Sequence, residues 1–243
     1  MTVSRETVVA LAADYGLGQE SAAALHSLLD ALSAEEDPPT TVRQPVRALD
    51  VHLADSLSGL EVEPLAGLAA GPRTAAAAIA DVGAGAGFPG LALAAALPSA
   101  SVDLIEASAR KCAVIRRLGE AAGIANSRAV PERAEDWAAA EGAGAYDVVT
   151  ARAVAPLGVL VEYAAPLLRE SGALVAWKGR RDEQEEHAAA HAAAIVGLEG
   201  VEIRKVTPFT GAHDRHLHVF AKVGRTPDRF PRRAGMARKR PLT

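Results

Sequence analysis

The residues best suited to chemistry lie in one run, Asp81-Val82-Gly83-Ala84-Gly85-Ala86-Gly87-Phe88-Pro89-Gly90, with a further acid, Glu106, downstream. Four glycines within eight residues let the backbone take positive φ and approach a ligand more closely than any Cβ would allow. The run follows the apolar stretch Ala75–Ala80, and Leu91–Leu97 continues it as a helix until Pro98. Pro89 suits the first turn of that helix, where its missing N–H costs nothing. Strand, glycine loop and helix place the loop at the carboxyl edge of the first strand of an α/β sheet, where nucleotide-like ligands bind. Read from Gly85, the residues match the dinucleotide fingerprint, and Glu106 stands where a ribose-binding acid would. The frame argues otherwise: the strand ends at Asp81, the pattern is acid-x-Gly-x-Gly-x-Gly, and no second long domain follows to carry a hydride acceptor.

Other constellations are sparser. His52 and Asp55, at i and i+3, share a helix face, either as a bridge from the N-terminal region to the glycine loop or as a buried hydrogen-bonded pair. His213, His216 and His218 lie near Asp214, but His216 and His218 alternate on a strand and no carboxylate cluster joins them, so no metal site is expected. The single cysteine, Cys112, excludes an intrachain disulfide framework and a Cys-rich zinc site, and suits a reducing cytoplasm. Arg5, Glu6, Asp14 and Glu20 interrupt the N-terminus, so a secretory signal is not expected, and no apolar stretch reaches membrane-spanning length. The net charge of −4 hides an uneven distribution: Gly224–Thr243 carries seven Lys or Arg against Asp228, a net of +6, leaving −10 for the remainder.

The elements that position these residues follow from periodicity. Val8 to Leu32 carries apolar residues at helical spacing as two amphipathic helices, broken at Ser33–Pro39, and Val46–Leu60 resumes as a helix with Leu49, Leu53 and Leu57 on one face. These form a helical cap over residues 1–70. Then strands Ser101–Ile105, Asn126–Val130, Tyr146–Thr150 and Gly172–Trp177 alternate with helices Ser108–Ala122, Ala134–Ala140, Pro156–Arg169 and Asp182–Val196. Val201–Val206 and His216–Val223 close the sheet as an antiparallel pair. Such alternation predicts an α/β fold, a seven-stranded, mostly parallel sheet with helices on both faces, over residues 71–223. Residues 224–243 form a basic tail, interleaving arginine with proline, and are expected to be extended. Nothing demands more than a monomer.

The acid-x-Gly-x-Gly-x-Gly frame resembles the first motif of S-adenosylmethionine-dependent methyltransferases of the Rossmann-like class I fold. More specifically, the chain resembles the bacterial small-subunit (16S) ribosomal RNA guanine-N7 methyltransferases, the RsmG or GidB family. The resemblance rests on His52-Leu53-Ala54-Asp55-Ser56, Asp81–Gly90, Ser108-Ala109-Arg110-Lys111-Cys112, Arg133-Ala134-Glu135 and Thr150-Ala151-Arg152-Ala153. Trp177-Lys178-Gly179, Arg215-His216-Leu217, Phe230–Gly235 and Lys239-Arg240-Pro241-Leu242 extend it. One departure is Pro38-Pro39-Thr40-Thr41-Val42-Arg43, where family members often carry Asn-Leu-Thr.

The resemblance implies S-adenosylmethionine as cofactor and 16S ribosomal RNA, or the small ribosomal subunit, as partner. Gly83, Gly85, Gly87 and Phe88 would contact the cofactor, Glu106 its ribose hydroxyls by charge-assisted hydrogen bonds, and Ala134 and Glu135 its adenine. Arg152 would sit at the reaction centre, orienting the base or the cofactor's carboxylate with its planar fork; the structural alternative is an ion pair with Asp147 or Glu162. Arg215, Lys178, Arg232, Arg233, Lys239 and Arg240 would meet RNA phosphate, the tail acting as a clamp. Guanine N7 carries a lone pair and no proton, so no general base is needed. The work is alignment and exclusion of water, consistent with the lack of any paired-carboxylate or Ser/His/Asp set. Another methyl acceptor, a non-catalytic assembly factor and a dinucleotide oxidoreductase remain as alternatives.

Overall fold

The computed structural model describes residues 3–42, 44–69 and 76–242. The boundary expected between residues 70 and 71 lies outside them, as do Ala75 and Arg43. Ser4 opens α1 (Arg5–Asp14), its side chain accepting a hydrogen bond from the Thr7 N–H and so satisfying one of the helix's free donors. In α2 (Gln19–Ala34), Leu25, Leu28, Leu29 and Leu32 form the buried stripe at i, i+3, i+4 and i+7.

The single helix expected over Val46–Leu60 is instead divided. α3 (Pro45–Ala48) passes into a π-helical turn (Leu49–Ala54), then α4 (Asp55–Leu57), then a 3-10 turn (Ser58–Glu61). Non-local contacts impose these changes. A Cβ on Gly59 would stand 2.4 Å from Cζ2 of Trp177, so this turn lies against the indole only because the residue is glycine. α5 (Glu63–Ala69) ends the helical region.

The remaining elements follow as β1 (Ala78–Val82), α6 (Gly90–Ala96), β2 (Ser101–Ile105), α7 (Ala109–Ala121), β3 (Ser127–Val130), α8 (Ala134–Ala138) and β4 (Tyr146–Arg152). After these come α9 (Leu157–Ala164), β5 (Leu168–Lys178), α10 (Glu183–Val196), β6 (Leu198–Lys205), β7 (His216–Lys222) and α11 (Met236–Lys239). The strands form one sheet in the order β3-β2-β1-β4-β5-β7-β6. Pairing is parallel from β3 through to β5, and β7 runs antiparallel between β5 and β6. The alternation predicts the mostly parallel sheet, and the arrangement is the Rossmann-like class I fold that the resemblance implies. In the sheet region three boundaries differ by three residues or more. β5 starts at Leu168 rather than Gly172. α9 stops at Ala164 rather than Arg169, because Pro166 offers no N–H and disfavours helical geometry in the residue before it. β6 starts at Leu198, immediately after Gly197 closes α10 at φ +80°.

Strand alternation divides the core into two layers. On one face Ile79, Val148, Val175 and Trp177 pack with α6, α7 and the N-terminal helices. On the other, Ala80, Val82, Val149, Leu174 and Ala176 pack with α8, α9 and α10. The N-terminal helices therefore share a core with the sheet. The tail is not extended, contrary to expectation: Phe230 and Ala237 are buried on the second face. Arg232 makes a bidentate pair with Glu162, donating from Nε and Nη2 at 2.6 Å each. Two apolar anchors and one partly buried ion pair hold down a segment that composition alone describes as polar and proline-rich. Among the described residues, no helix is long and apolar enough to cross a membrane.

Candidate cofactor and acceptor site

The sheet order reverses between β1 and β4, each carrying its next neighbour on the opposite side. Ligands bind at the carboxyl ends of strands at such a switch point, and a cavity of about 770 Å³ opens there. Its floor is the loop after β1. Gly83 has φ +71°, and a Cβ on it would lie 2.6 Å from Cγ2 of Val154. At Gly85, φ +59°, a Cβ would meet nothing closer than the Gly83 carbonyl at 3.8 Å. The loop is thus packed from below at Gly83 and bare at Gly85, the shape of a backbone cradle for a ligand.

Asp81 locks the cradle to its neighbours. It is almost fully buried, Oδ2 accepting from the Gly90 N–H at 2.9 Å and Oδ1 from the Thr150 hydroxyl at 3.0 Å. Burial raises its pKa to about 7, against the opposing effects of those two donors and Arg152. Glu106, at the end of β2, accepts from the Gly85 N–H at 3.1 Å through Oε2 and from the Ser108 N–H at 2.9 Å through Oε1. These bonds hold the carboxylate at the cavity edge, each oxygen keeping a lone pair for a hydroxyl. Ala134 and Glu135, at the start of α8, line the next stretch of wall, where Glu135 Oε1 accepts from the Gly235 N–H at 2.7 Å. Gly235 and Arg238 make the tail part of this wall, a role that nothing in its composition signals.

The opposite wall comes from the N-terminal helices and from β4, β5 and the approach to β7. Thr150 and Arg152 share the face of Val148, so Arg152 projects toward the π-helical turn. Its Nη1 donates to Asp55 Oδ2 at 2.9 Å and to the Val51 carbonyl at 3.0 Å. Burial lowers the guanidinium's pKa, with Asp55 and Asp81 opposing. The partner of Arg152 is thus Asp55, not Asp147 or Glu162, which pair with Arg169 and Arg232. Trp177 Nε1 donates to the Asp55 carbonyl at 2.7 Å, and Arg215 Nε lies 3.2 Å from Asp55 Oδ1. His52 stacks on Phe88 with centroids 4.7 Å apart and planes 16° apart, and its Nε2 meets Thr40 Oγ1 at 3.0 Å. Burial first, and Arg152 second, lower its pKa to about 4. His52 and Asp55 do bridge the N-terminal helices to the glycine loop and sheet, through Phe88 and Arg152 rather than through each other.

The structure therefore brings Gly83, Gly85, Phe88, Glu106, Ala134, Glu135 and Arg152 to one cavity, together with Lys178 and Arg215. Gly87 sits behind the loop, where a Cβ would lie 2.6 Å from Leu91 Cδ1. Lys178 Nζ pairs with Glu185 at 2.6 Å, and Arg232 is engaged by Glu162. Arg233, Lys239 and Arg240 are exposed on the tail. His216 Nδ1 lies 2.9 Å from the Gly179 carbonyl and His218 is buried 4.0 Å from Glu186. Among the described residues no group of three or more His, Cys, Asp or Glu side chains could hold a metal ion. Thr40, Trp177 and the tail's Gly235 and Arg238 complete the cavity without having been singled out as site residues. Only Trp177 and Gly235, within the family-like stretches, carried a sequence signal.

Comparison with known proteins accords with this geometry. The family model described as rRNA small subunit methyltransferase G matches residues 36–218. A protein named ribosomal RNA small subunit methyltransferase G from Chloroflexus aggregans is 40% identical over 207 residues, covering 84% of this chain and 82% of that one. Its namesake from Rubrobacter xylanophilus is 41% identical over 204 residues, covering 82% and 75%. A solved structure titled a predicted O-methyltransferase from Agrobacterium tumefaciens is similar with a TM-score of 0.51 and 26% identity, over 67% of this chain and 81% of that one. With the glycine cradle, the acid after β2 and the family match extending over most of the chain, this protein belongs to the rRNA small subunit methyltransferase G family.

Proposed function

We propose that the protein transfers a methyl group from S-adenosylmethionine to N7 of a guanine in small-subunit ribosomal RNA. The observation that carries this is the two-sided cavity: a bare glycine cradle and a ribose-height carboxylate on one wall, an arginine- and aromatic-lined wall on the other. Pockets for one drug-sized ligand occupy roughly 300–1,000 Å³, and the cavity of about 770 Å³ is large enough for the cofactor. Bound there, the cofactor supplies an electrophilic methyl on a sulfonium. Gly83 and Gly85 admit its chain, Glu106 accepts its ribose hydroxyls, and Ala134 and Glu135 flank its adenine. Arg152 is a positioning residue, its guanidinium fixed by Asp55 and the Val51 carbonyl at the cavity wall. N7 carries a lone pair and needs no deprotonation, so the reaction asks the wall for alignment rather than for a general base.

RNA contact is assigned to Arg215, Lys178 and the exposed tail residues Arg233, Lys239 and Arg240, with the protein acting in the cytoplasm as a monomer and without a metal. The test is transfer of labelled methyl to small subunits from cells lacking this protein, with mapping of the modified nucleotide. A single N7-methylguanine, formed equally well in the presence of a chelator, is expected. S-adenosylhomocysteine binding without any label in the RNA would overturn the acceptor.

A further inference from the structure

Among the described residues, two buried side-chain polar atoms have no hydrogen-bond partner: Nδ1 of His52 and Oδ1 of Asp55. Both side chains are more than nine-tenths buried, both come from the π-helical turn and the residue that follows it, and both line the cavity. Leaving such groups unsatisfied costs roughly 1–3 kcal/mol each, so two of them on residues that line one cavity point to a ligand that completes them. We propose that His52 and Asp55 read the acceptor base, His52 Nδ1 donating to guanine O6 and Asp55 Oδ1 accepting from guanine N1–H. This rests on the guanine reading above and assigns it to named atoms.

In this pairing the ring proton sits on Nδ1: Thr40 Oγ1, which accepts from the Val42 N–H at 3.1 Å, gives its own hydrogen to His52 Nε2 at 3.0 Å, and Nδ1 becomes a donor. Asp55 supplies an acceptor: Oδ2 is engaged by Arg152, whereas Arg215 Nε, 3.2 Å from Oδ1, makes an ion pair without hydrogen-bonding alignment. A donor and an acceptor on one cavity wall complement guanine, which presents O6 beside N1–H. Adenine presents the reverse, an amino group beside a bare N1, and is rejected. This engages the edge away from the imidazole ring and leaves N7 free for the methyl.

The cofactor's own ammonium is the rival occupant of Asp55. Two guanidinium groups already stand at that carboxylate, and a third cation there meets their repulsion, whereas the N1–H of a neutral base does not.

The experiment uses the full chain, small subunits lacking the modification, and three variants, His52→Gln, His52→Asn and Asp55→Asn. His52→Gln keeps an amide at the Nε2 position, against Thr40, and loses the atom at Nδ1; His52→Asn keeps an amide nitrogen near Nδ1 and loses the contact to Thr40. His52→Gln is expected to lower kcat/KM roughly tenfold or more, with S-adenosylhomocysteine affinity within about twofold of the unaltered protein, and His52→Asn to restore part of the loss. GMP is expected to inhibit the unaltered protein better than AMP, a preference absent in His52→Gln and Asp55→Asn. If His52→Asn is the worse variant, the ring is a strut held by Thr40 and the proposal is wrong. Parallel loss of S-adenosylhomocysteine affinity and transfer assigns the two atoms to the cofactor and also overturns it. Unaltered protein that binds S-adenosylhomocysteine but labels no guanine takes down the acceptor reading itself, an outcome visible before any variant is compared.

Discussion

Replacing Asp81 by Asn should make the protein's stability less dependent on pH in a specific window. The folded carboxyl, buried beneath the glycine loop, holds its proton up to about pH 7, whereas a free one releases it near 3.8. Between those values the folded state binds more protons than the unfolded state. The contribution to stability is therefore complete below about pH 4 and drains away as pH rises through 7. A rise of that size corresponds to roughly 4 kcal/mol across the window. Asn suits the site: its oxygen can accept from the Gly90 N–H and its amide can donate to Thr150 Oγ1, while the Thr150 hydroxyl, already 3.4 Å from the Ala80 carbonyl, turns to that acceptor. Urea unfolding of both proteins from pH 4.5 to 8.5 measures the difference at each pH, so titrations common to both cancel. The Asn variant should gain on the unaltered protein steadily up to about pH 8. Parallel curves would refute the reasoning, since they would mean that Asp81 enters the folded state already ionised and that its two hydrogen bonds outweigh burial.

His52 should behave in the opposite sense. Its ring falls to about 4 in the folded state from 6.5, so its contribution is complete above pH 6.5 and is lost as pH falls toward 4; His52→Phe, which preserves stacking on Phe88, should flatten that limb in the same urea series. Gly59→Ala should lower stability by roughly 1–3 kcal/mol, because its methyl would press on Trp177 at 2.4 Å and on Leu65 Cδ1 at 2.9 Å; an unchanged urea midpoint would show that the turn yields freely. Arg152→Ala should abolish methyl transfer and also cost roughly 3 kcal/mol, since it leaves the buried Asp55 with only Arg215 nearby; full stability with lost transfer would mean that the ion pair contributes nothing to the fold. Deleting residues 225–243 should lower the urea midpoint by exposing the surface that Phe230 and Ala237 cover, a burial worth roughly 2–4 kcal/mol, and weaken S-adenosylhomocysteine binding, because Gly235 no longer steadies Glu135. Loss of RNA affinity alone would return the tail to the role of a detached clamp.

What the sequence made legible and what it did not divide along the range of the interactions involved. The glycine loop, its strand and helix, and the parallel character of the sheet follow from local spacing: Asp81, Gly83 and Gly85 act within a few residues of one another, and alternation of strand and helix implies the parallel sheet. Glu106 is readable for the same reason, standing at the end of the next strand. The helix over Val46–Leu60 was misread because what divides it is distant. Trp177 reaches Asp55 and crowds Gly59, Arg152 reaches Val51 and Asp55, and Phe88 receives His52. Each partner is remote along the chain, and an apolar face at i, i+4 and i+8 looks the same whether the backbone runs as an α-helix or widens for one turn. The tail was misjudged likewise: its charge is visible in composition, but Phe230 and Ala237 become anchors only because the α9 side of the sheet offers them a surface.

These distant contacts change what the N-terminal helices are for. A sheet with its glycine loop supplies only one wall of the cavity, the wall that suits a nucleotide-like cofactor. The second wall exists because the π-helical turn presents His52 and Asp55 to Phe88 and Arg152. Asp55 is held from both directions, its carbonyl by the Trp177 indole and its carboxylate by Arg152, and those two residues are paired neighbours on β5 and β4. The strand ends beside the glycine loop thus also fix the π-helical turn, so the two walls of the cavity share one rigid frame. For an in-line transfer that relies on alignment rather than on acid–base groups, such a frame is the main catalytic device the protein can offer. Contacts that join the turn to the sheet should accordingly affect transfer far more than their own interaction energies suggest.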